Sequence, residues 1–480
     1  MQAAGVQVWL GASDAHAPHA FEFISSAIPQ FTMGAQLQHI PLPNDPIWHS
    51  IGKFFARSWF ERVWVIQEIV LANYINVLCG NHFLSWDQIH AFVVIIQTTP
   101  AFRFLFDRFR SRFLDVIQLQ ALRSGFRASL RRGLDERGFL FLLDLIRRRE
   151  STENVDRVYG GLGAALQSIR EKVNIDYSPQ RKQCFWEAYI ELGKALVETP
   201  GFRLLMQAPS KERMAGLPTW CPNLSSRRSM TDNWKHFNAG VLPNPRFDQG
   251  PYPPHVSLEE QSNAIIVRGI IMDTVGLIYC PPPEAFQSDQ IVTRVTKFNN
   301  FIESLHPIFL LLYSNETTAR SIGTSERSLN ATEEAERWKH KVWVKTLVAD
   351  TMKGGEPYPP DAIANHFYEL GAHYRDIERG TIPEYEPPNV HTYRMAMAEA
   401  WYGTSFFITP NGQFGLGPAD MLPTDKICVC FTAHTPFVLR RYPGTDSFDF
   451  VGPAYIHDFM DGAAFKARDP AISYQSFTIH

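Results

Sequence analysis

The sixteen residues from Arg57 to Ala72, RSWFERVWVIQEIVLA, leave a folding chain little choice. At 100° per residue, Trp59, Val63, Ile66 and Val70 form one stripe, and Phe60, Trp64, Gln67 and Leu71 form the next. Arg57, Glu61 and Glu68 gather opposite Trp59, with Arg62 beside Val65 and Ile69, so the polar strip is narrow. The spacing predicts one mostly buried helix. Within it Arg57 and Glu61 form an i,i+4 pair worth a few tenths of a kcal/mol, and Trp59, Val63 and Trp64 lie in the core. The alternative is that Arg62 or Glu68 reaches a cleft or a partner.

A helix with so wide an apolar arc needs neighbours on several sides, and 480 residues supply enough chain for about two to three domains. The formal net charge of −3 argues against a general nucleic-acid binder. Cys79, Cys184, Cys221, Cys280, Cys428 and Cys430 show no paired framework, which points to a reducing, cytoplasmic or nuclear setting. Cys428 and Cys430 share one face of a strand, but no second pair or histidine cluster completes a zinc site. The start MQAAGVQVWLG lacks a basic stretch followed by a long apolar one, and AFVVII and PIFLLLY fall short of the ~20 residues of a membrane span.

The pattern along the chain is of the α/β class, α+β when taken whole. VQVWLG reads as a strand, followed by a loop from Pro18 to Ile47 and then the Arg57 helix. INVLCG reads as a second strand, and SWDQIHAFVVII as a helix opened by a Ser85–Gln88 capping box. Residues 1–100 are therefore expected to form a partial α/β domain, and 101–224 a helical region continuing it. There VNIDYSPQRKQCFWEAYIELGKAL gives a short strand, Ser178 as N-cap, Pro179 at the first helical position and one helix beyond. Residues 225–401 read as loops, two strands meeting near Gly269 in AIIVRGIIMDTVGLI, and helices around Glu333–Asp350 and Asp361–Arg379. From 402 to 480 short alternating segments and the turn PNGQ predict a β-rich region, a small barrel or sandwich.

Several constellations invite chemistry and are better explained otherwise. GASDAH places Ser13, Asp14 and His16 side by side, whereas triad members converge from separate elements. YGGLGAAL lacks the Lys-Ser/Thr ending of a phosphate loop, and its glycines suit close helix packing. The arginines of RFLFDRFRSRF are interspersed with acids, as on a solvated helical face. His457, Asp458 and Asp461 resemble turn-capping groups more than a cation site.

The Arg57–Ala72 block resembles a signature of the fungal heterokaryon incompatibility (HET) domain, carried by Trp59, Arg62, Trp64, Gln67 and Glu68. VQVWLG is similar to the strand before it. LLDLIRRRESTENVDRVYGGLGAA, with Asp156, Arg157 and Tyr159, resembles the segment after it. IDYSPQ, with Asp176 and Tyr177, and LPTWCPNLS, with Pro218, Trp220 and Pro222, are similar to the next two blocks. FFITPNGQFGLGPADMLPTDKICVC, with Gly415, Gly417 and Pro418, resembles the β-rich tail that accompanies the domain. Asp458 stands where the family usually has Gly, and Ala463 where Glu is common. The family's upstream Ser-Tyr-x-Trp-Gly and Asp-Ala-x-Cys-Ile-Asn-Gln strands do not occur, so an N-terminally truncated domain is expected.

The resemblance implies a cytoplasmic module of fungal nonself recognition that triggers programmed cell death through contacts with other proteins, a recognition receptor or a second copy. It brings no cofactor or metal. A distant family likeness to Toll/interleukin-1 receptor (TIR) domains implies a partial TIR-like α/β layer. With it comes an alternative, cleavage of NAD at Glu68; an inactive fragment of a longer protein is the third reading.

Overall fold

The computed structural model describes residues 5–32, 41–197, 205, 213–226, 239, 256–259, 262–280, 295–297, 299–305, 341–352, 356–381, 386–431, 433–466 and 474–480. The chain divides into two compact units, residues 1–195 with 224–228 and residues 196–223 with 229–480. The first is largely helical around a small sheet, and the second is rich in strand.

In the first unit β1 (Val6–Trp9) lies parallel to β2 (Ile75–Cys79), with Val8 opposite Val77, and β3 (His82–Ser85) returns antiparallel through the turn at Gly80. The stretch expected as a loop from Pro18 to Ile47 instead carries α1 (Ala17–Thr32) and the start of α2 (Pro46–Phe55). Pro18 is compatible with the helix because its missing N–H falls in the first turn. Asp14 caps that turn, accepting from the backbone N–H groups of His16 and Ala17 at 3.0 and 2.8 Å. Ala20, Phe21, Ile24 and Ala27 then form a buried helical stripe.

The single helix expected over Arg57–Ala72 is broken in two. Ser58–Glu61 is a 3-10 turn, Arg62 is extended at φ −75°, ψ 142°, and α3 runs only from Val65 to Val70. The cause is a strand-like intrusion. Glu150 bridges Arg62, donating its N–H to the Glu61 carbonyl at 2.7 Å and accepting from Val63 at 2.9 Å. Those two bonds satisfy backbone groups at the break that a continuous helix would have paired internally. The apolar prediction holds for Trp59 and Val63, which are buried, but Trp64 is only half-buried. Arg57 does not pair with Glu61; it donates to Asp14 at 2.8 Å and to the Leu10 carbonyl at 3.0 Å, while Glu61 pairs with Arg112. Phe54, Phe55, Phe60 and Phe113 pack edge to face beneath the break.

Ser85 and Gln88 form both arms of the expected capping box at the start of α4 (Trp86–Thr98). Next come α5 (Arg103–Arg108), α6 (Arg110–Ala128), α7 (Glu136–Arg147), α8 (Asp156–Leu162) and α9 (Gln167–Arg170). The glycines of YGGLGAAL do admit close packing. A Cβ on Gly161 would lie 2.6 Å from the side chains of Ile146 and Leu142, and one on Gly163 would lie 2.5 Å from Gln67. Ser178 caps α10 (Pro179–Gln183) as expected. The short strand expected before it is irregular chain, and the helix halts at Cys184 before resuming as α11 (Trp186–Val197).

In the second unit the strands are β4 (Val256–Leu258), β5 (Ile265–Thr274), β6 (Leu277–Tyr279), β7 (Thr404–Ile408), β8 (Phe414–Pro418), β9 (Lys426–Cys430), β10 (Phe437–Arg441), β11 (Phe448–Pro453), β12 (Tyr455–Ile456) and β13 (Gln475–Ile479). The order β5-β9-β10-β11-β13 closes on itself because β13 also pairs with β5, from Gln475 opposite Gly269 to Ile479 opposite Ile265. This is a five-stranded ring without an open edge between its members. A second sheet runs β12-β8-β7-β6. The two strands expected to meet near Gly269 are one strand there: β5 passes through Gly269, and the break falls at Val275–Gly276 before β6. Ile270, Phe407, Val429, Val438, Val451 and Ile456 are among the residues of the buried core. Two helices, α12 (Ile363–Glu378) and α13 (Pro388–Ala400), pack on each other, matching the helix expected around Asp361–Arg379. Of the helix expected over Glu333–Asp350, the part before residue 341 lies outside the described residues, and 341–347 is helical.

Candidate functional site

Signature residues from three sequence blocks converge in the first unit. The Gln67 amide on α3 donates to the Tyr159 carbonyl on α8. The Tyr159 hydroxyl donates to the Asn174 carbonyl at 3.1 Å and accepts from the Asp176 N–H at 3.1 Å. Tyr177 donates to the buried Asp156 at 2.7 Å, and its ring sits 5.3 Å from that of Tyr159. Burial first, and then the bond to Asp156, push the Tyr177 hydroxyl above the ordinary tyrosine range. Arg157 is 8% exposed and donates to the Ile146 and Arg147 carbonyls, the open C-terminal end of α7. Asp176 accepts from the Ser178 N–H, which holds its carboxyl below the usual range. Arg181 carries the network onward to Glu191, Glu187 and Asp176. Burial opposes its charge, but the Glu191 bond and the charges of Glu191, Tyr159 and Glu187 together raise its pKa.

Glu68 stands apart from that network, in the first turn of α3 and half-buried. It has a partner that helical spacing does not reveal: the Trp59 indole donates to its Oε2 at 2.7 Å. The break at Arg62 makes this bond possible by turning the 3-10 segment relative to α3. Arg62 itself is exposed.

The remaining signature residues lie in the second unit. Trp220 is fully buried and donates through its indole to the Asn263 carbonyl at 2.7 Å. Pro218 beside it lines an open cavity of about 260 Å³ with Gly216, Thr219, Asn263, Asp449 and His480. Thr219 ties the loop to the ring, its N–H reaching the His480 carbonyl at 2.8 Å and its hydroxyl accepting from the Phe450 N–H at 2.7 Å. Pro222 is buried. Gly415, Gly417 and Pro418 are buried on β8; a Cβ on Gly415 would lie 2.1 Å from the Tyr455 carbonyl oxygen, so this strand pair requires glycine there.

Near them is a polar corner. The Tyr455 hydroxyl lies 3.1 Å from Nδ1 of His457. Burial, followed by the charges of Lys345 and Lys341, lowers the His457 pKa to about 4, and burial raises that of Asp458. Lys345 pairs with Asp350 at 2.6 Å. His457, Asp458 and Asp461 do not converge as ligands; among the described residues no group of three or more His, Cys, Asp or Glu is placed to hold a metal ion. Burial raises the Cys428 thiol well above its ordinary range and that of Cys430 to about 12, so both stay protonated and are poor nucleophiles. Asp425 is bound by Arg440 through both carboxylate oxygens at 3.0 and 2.8 Å. Neither residue stands out in the sequence, because the pair joins the residue before β9 to β10. Among the described helices, no single one is long and apolar enough to cross a membrane.

The fold and these residues define a mixed α/β protein with a helical signature unit and a closed β ring. Residues 386–470 match the family described as the Het-6 beta-barrel domain. The chain is 21% identical over 468 residues to heterokaryon incompatibility protein 6, OR allele, of Neurospora crassa, a match covering 86% of this chain and 65% of that protein. No solved structure matches. The chain is thus similar, through its β-rich end and at low identity along most of its length, to fungal heterokaryon-incompatibility proteins.

Proposed function

We propose that this protein acts in nonself recognition between hyphae, triggering programmed cell death in the cytoplasm through protein contacts. The observation that carries the reading is the match running through both units to a protein named for heterokaryon incompatibility, with the Het-6 barrel at its β-rich end. The chain spans 65% of that relative's length. The networks described above support action by contact, since Gln67, Asp156, Arg157, Tyr159, Tyr177 and Trp220 direct their polar groups at neighbouring elements. Glu68, the residue of the alternative NAD-cleaving reading, likewise has one oxygen engaged by Trp59.

The test is induced expression in a fungal host, with viability dye scoring of hyphal compartments. Death is expected with the parent chain and not with an equally abundant Gly415→Val variant. Healthy growth at confirmed expression of the parent would overturn the reading.

A further inference from the structure

Ser178 and Pro179 open α10 at the surface, where the chain before them is irregular from 174 to 178. Ile175 is 60% exposed and Tyr177 43%. A proline drives the residue before it out of the helical region, and Ser178 is extended at φ −56°, ψ 151°. Kinases take their substrates extended, and a proline after the serine leaves no N–H to be stripped of water in the cleft. Five serine or threonine residues of this chain precede a proline: Thr99, Ser178, Thr199, Thr409 and Thr435. Only Ser178 has a basic residue three positions on, Arg181, with Lys182 following it. Thr409 and Thr435 are buried. Helix α10 has five residues and stops at Cys184 before α11, so this stretch opens locally at little cost.

The surroundings of this hydroxyl make a phosphate there consequential. The Ser178 N–H and hydroxyl donate to the two oxygens of Asp176 at 2.8 and 3.1 Å. Transfer of the terminal phosphoryl group of ATP breaks its bond to ADP and forms one to Oγ, while the hydroxyl proton goes to the kinase's base. The resulting ester oxygen has no hydrogen to give Asp176, and it carries about −1.5 to −2 charge beside that carboxylate. The cations alongside are already engaged, Arg181 with Glu191, Glu187 and Asp176, and Lys182 with Glu153 at 2.9 Å. Repulsion therefore falls on Asp176. Its N–H is held on the Tyr159 hydroxyl at 3.1 Å, so a turn pushed away from the phosphate gives up that anchor.

We propose that Ser178 is a phosphorylation site for a proline-directed serine/threonine kinase, and that its phosphate releases the Asp176 turn from Tyr159. This goes beyond the recognition reading and does not depend on it. The network joining Gln67, Tyr159, Asp176 and Tyr177 is thereby open to control by one group added at its rim.

The experiment incubates the purified full chain with a recombinant proline-directed kinase, magnesium and ATP, and reads the tryptic peptide Val173–Arg181 by mass spectrometry. Phosphate is expected on Ser178 of the parent and absent from that peptide in Ser178→Ala. Pro179→Ala keeps the serine and is expected to lose most of the labelling. In a second arm, brief trypsin treatment of the folded chain should cut after Lys172 about tenfold faster in the phosphorylated form. That difference should shrink in Asp176→Asn, where the repelled charge is gone. A parent left unmodified at Ser178, or labelling unchanged in Pro179→Ala, would overturn the site. Equal cutting rates with and without phosphate would overturn the release.

Discussion

The two units solve the problem of internal polar groups differently. In the first, short helices end inside the protein, and side chains such as Arg157, Gln67 and Tyr159 reach across to the exposed carbonyls and N–H groups. In the second, the backbone pairs with itself around the ring, and side chains are left to fill a mainly apolar core. The first arrangement depends on particular polar residues, and the second on backbone proximity and shape. Substitutions in the two units should therefore fail for different reasons.

The largest expected effect is in the second unit. Trp220→Ala removes a fully buried ring and leaves the Asn263 carbonyl without its indole donor, at a cost of about 3–5 kcal/mol by urea denaturation. An unchanged midpoint would show that the loop does not anchor the ring.

A matched pair of glycine substitutions sharpens the contrast. Gly415→Ala sets a methyl against the Tyr455 backbone oxygen, whereas Gly161→Ala meets only the ends of the Ile146 and Leu142 side chains. The first is expected to cost about 3 kcal/mol and the second about 1, since rotamers yield more readily than a strand pair. Equal losses would mean the helical unit is as rigid as the sheet.

Acid should single out the polar corner of the second unit. The folded pKa of His457, about 4, lies below the ordinary 6.5. Between those values the unfolded chain binds more protons, so this contribution is full above about pH 6.5 and is lost as pH falls toward about 4. The parent should lose about 2–3 kcal/mol more than His457→Gln over that range, measured as urea midpoints at each pH. Parallel pH profiles would count against it.

The smallest effect is expected at Glu68. Glutamine retains an oxygen for the Trp59 indole, so Glu68→Gln should change stability by less than about 0.5 kcal/mol. Trp59→Phe, which deletes the donor, should cost about 1 kcal/mol. NAD consumption should be undetectable in parent and variant alike; turnover by the parent that vanishes in Glu68→Gln would make the enzyme reading the leading one.

This contrast also explains what the sequence disclosed. The β segments from SFFIT to FDFVGPAYI were legible because alternation and turn residues are local, as was the Ser85–Gln88 capping box. The break at Arg62 was not, since it is made by Glu150, far along the chain. The convergence of Gln67, Tyr159 and Tyr177 was legible only as a set of blocks resembling a family, because no periodicity links a glutamine to a carbonyl on another helix. Glu68, set opposite Trp59 by helical spacing, is instead bound by that indole, because the break at Arg62 separates the two segments. Closure of the ring, too, depends on β13 meeting β5, a pairing without local signature.

That closure fixes an order of events during synthesis. The strand at 265–274 leaves the ribosome long before the one at 475–479. Until β13 arrives, β5 and β11 each present an unpaired edge to every other nascent chain nearby. Contacts between such distant segments form slowly. The interval in which this protein is most open to mispairing is thus set by translation speed, and a chaperone that shields strand edges would act before the last strand emerges.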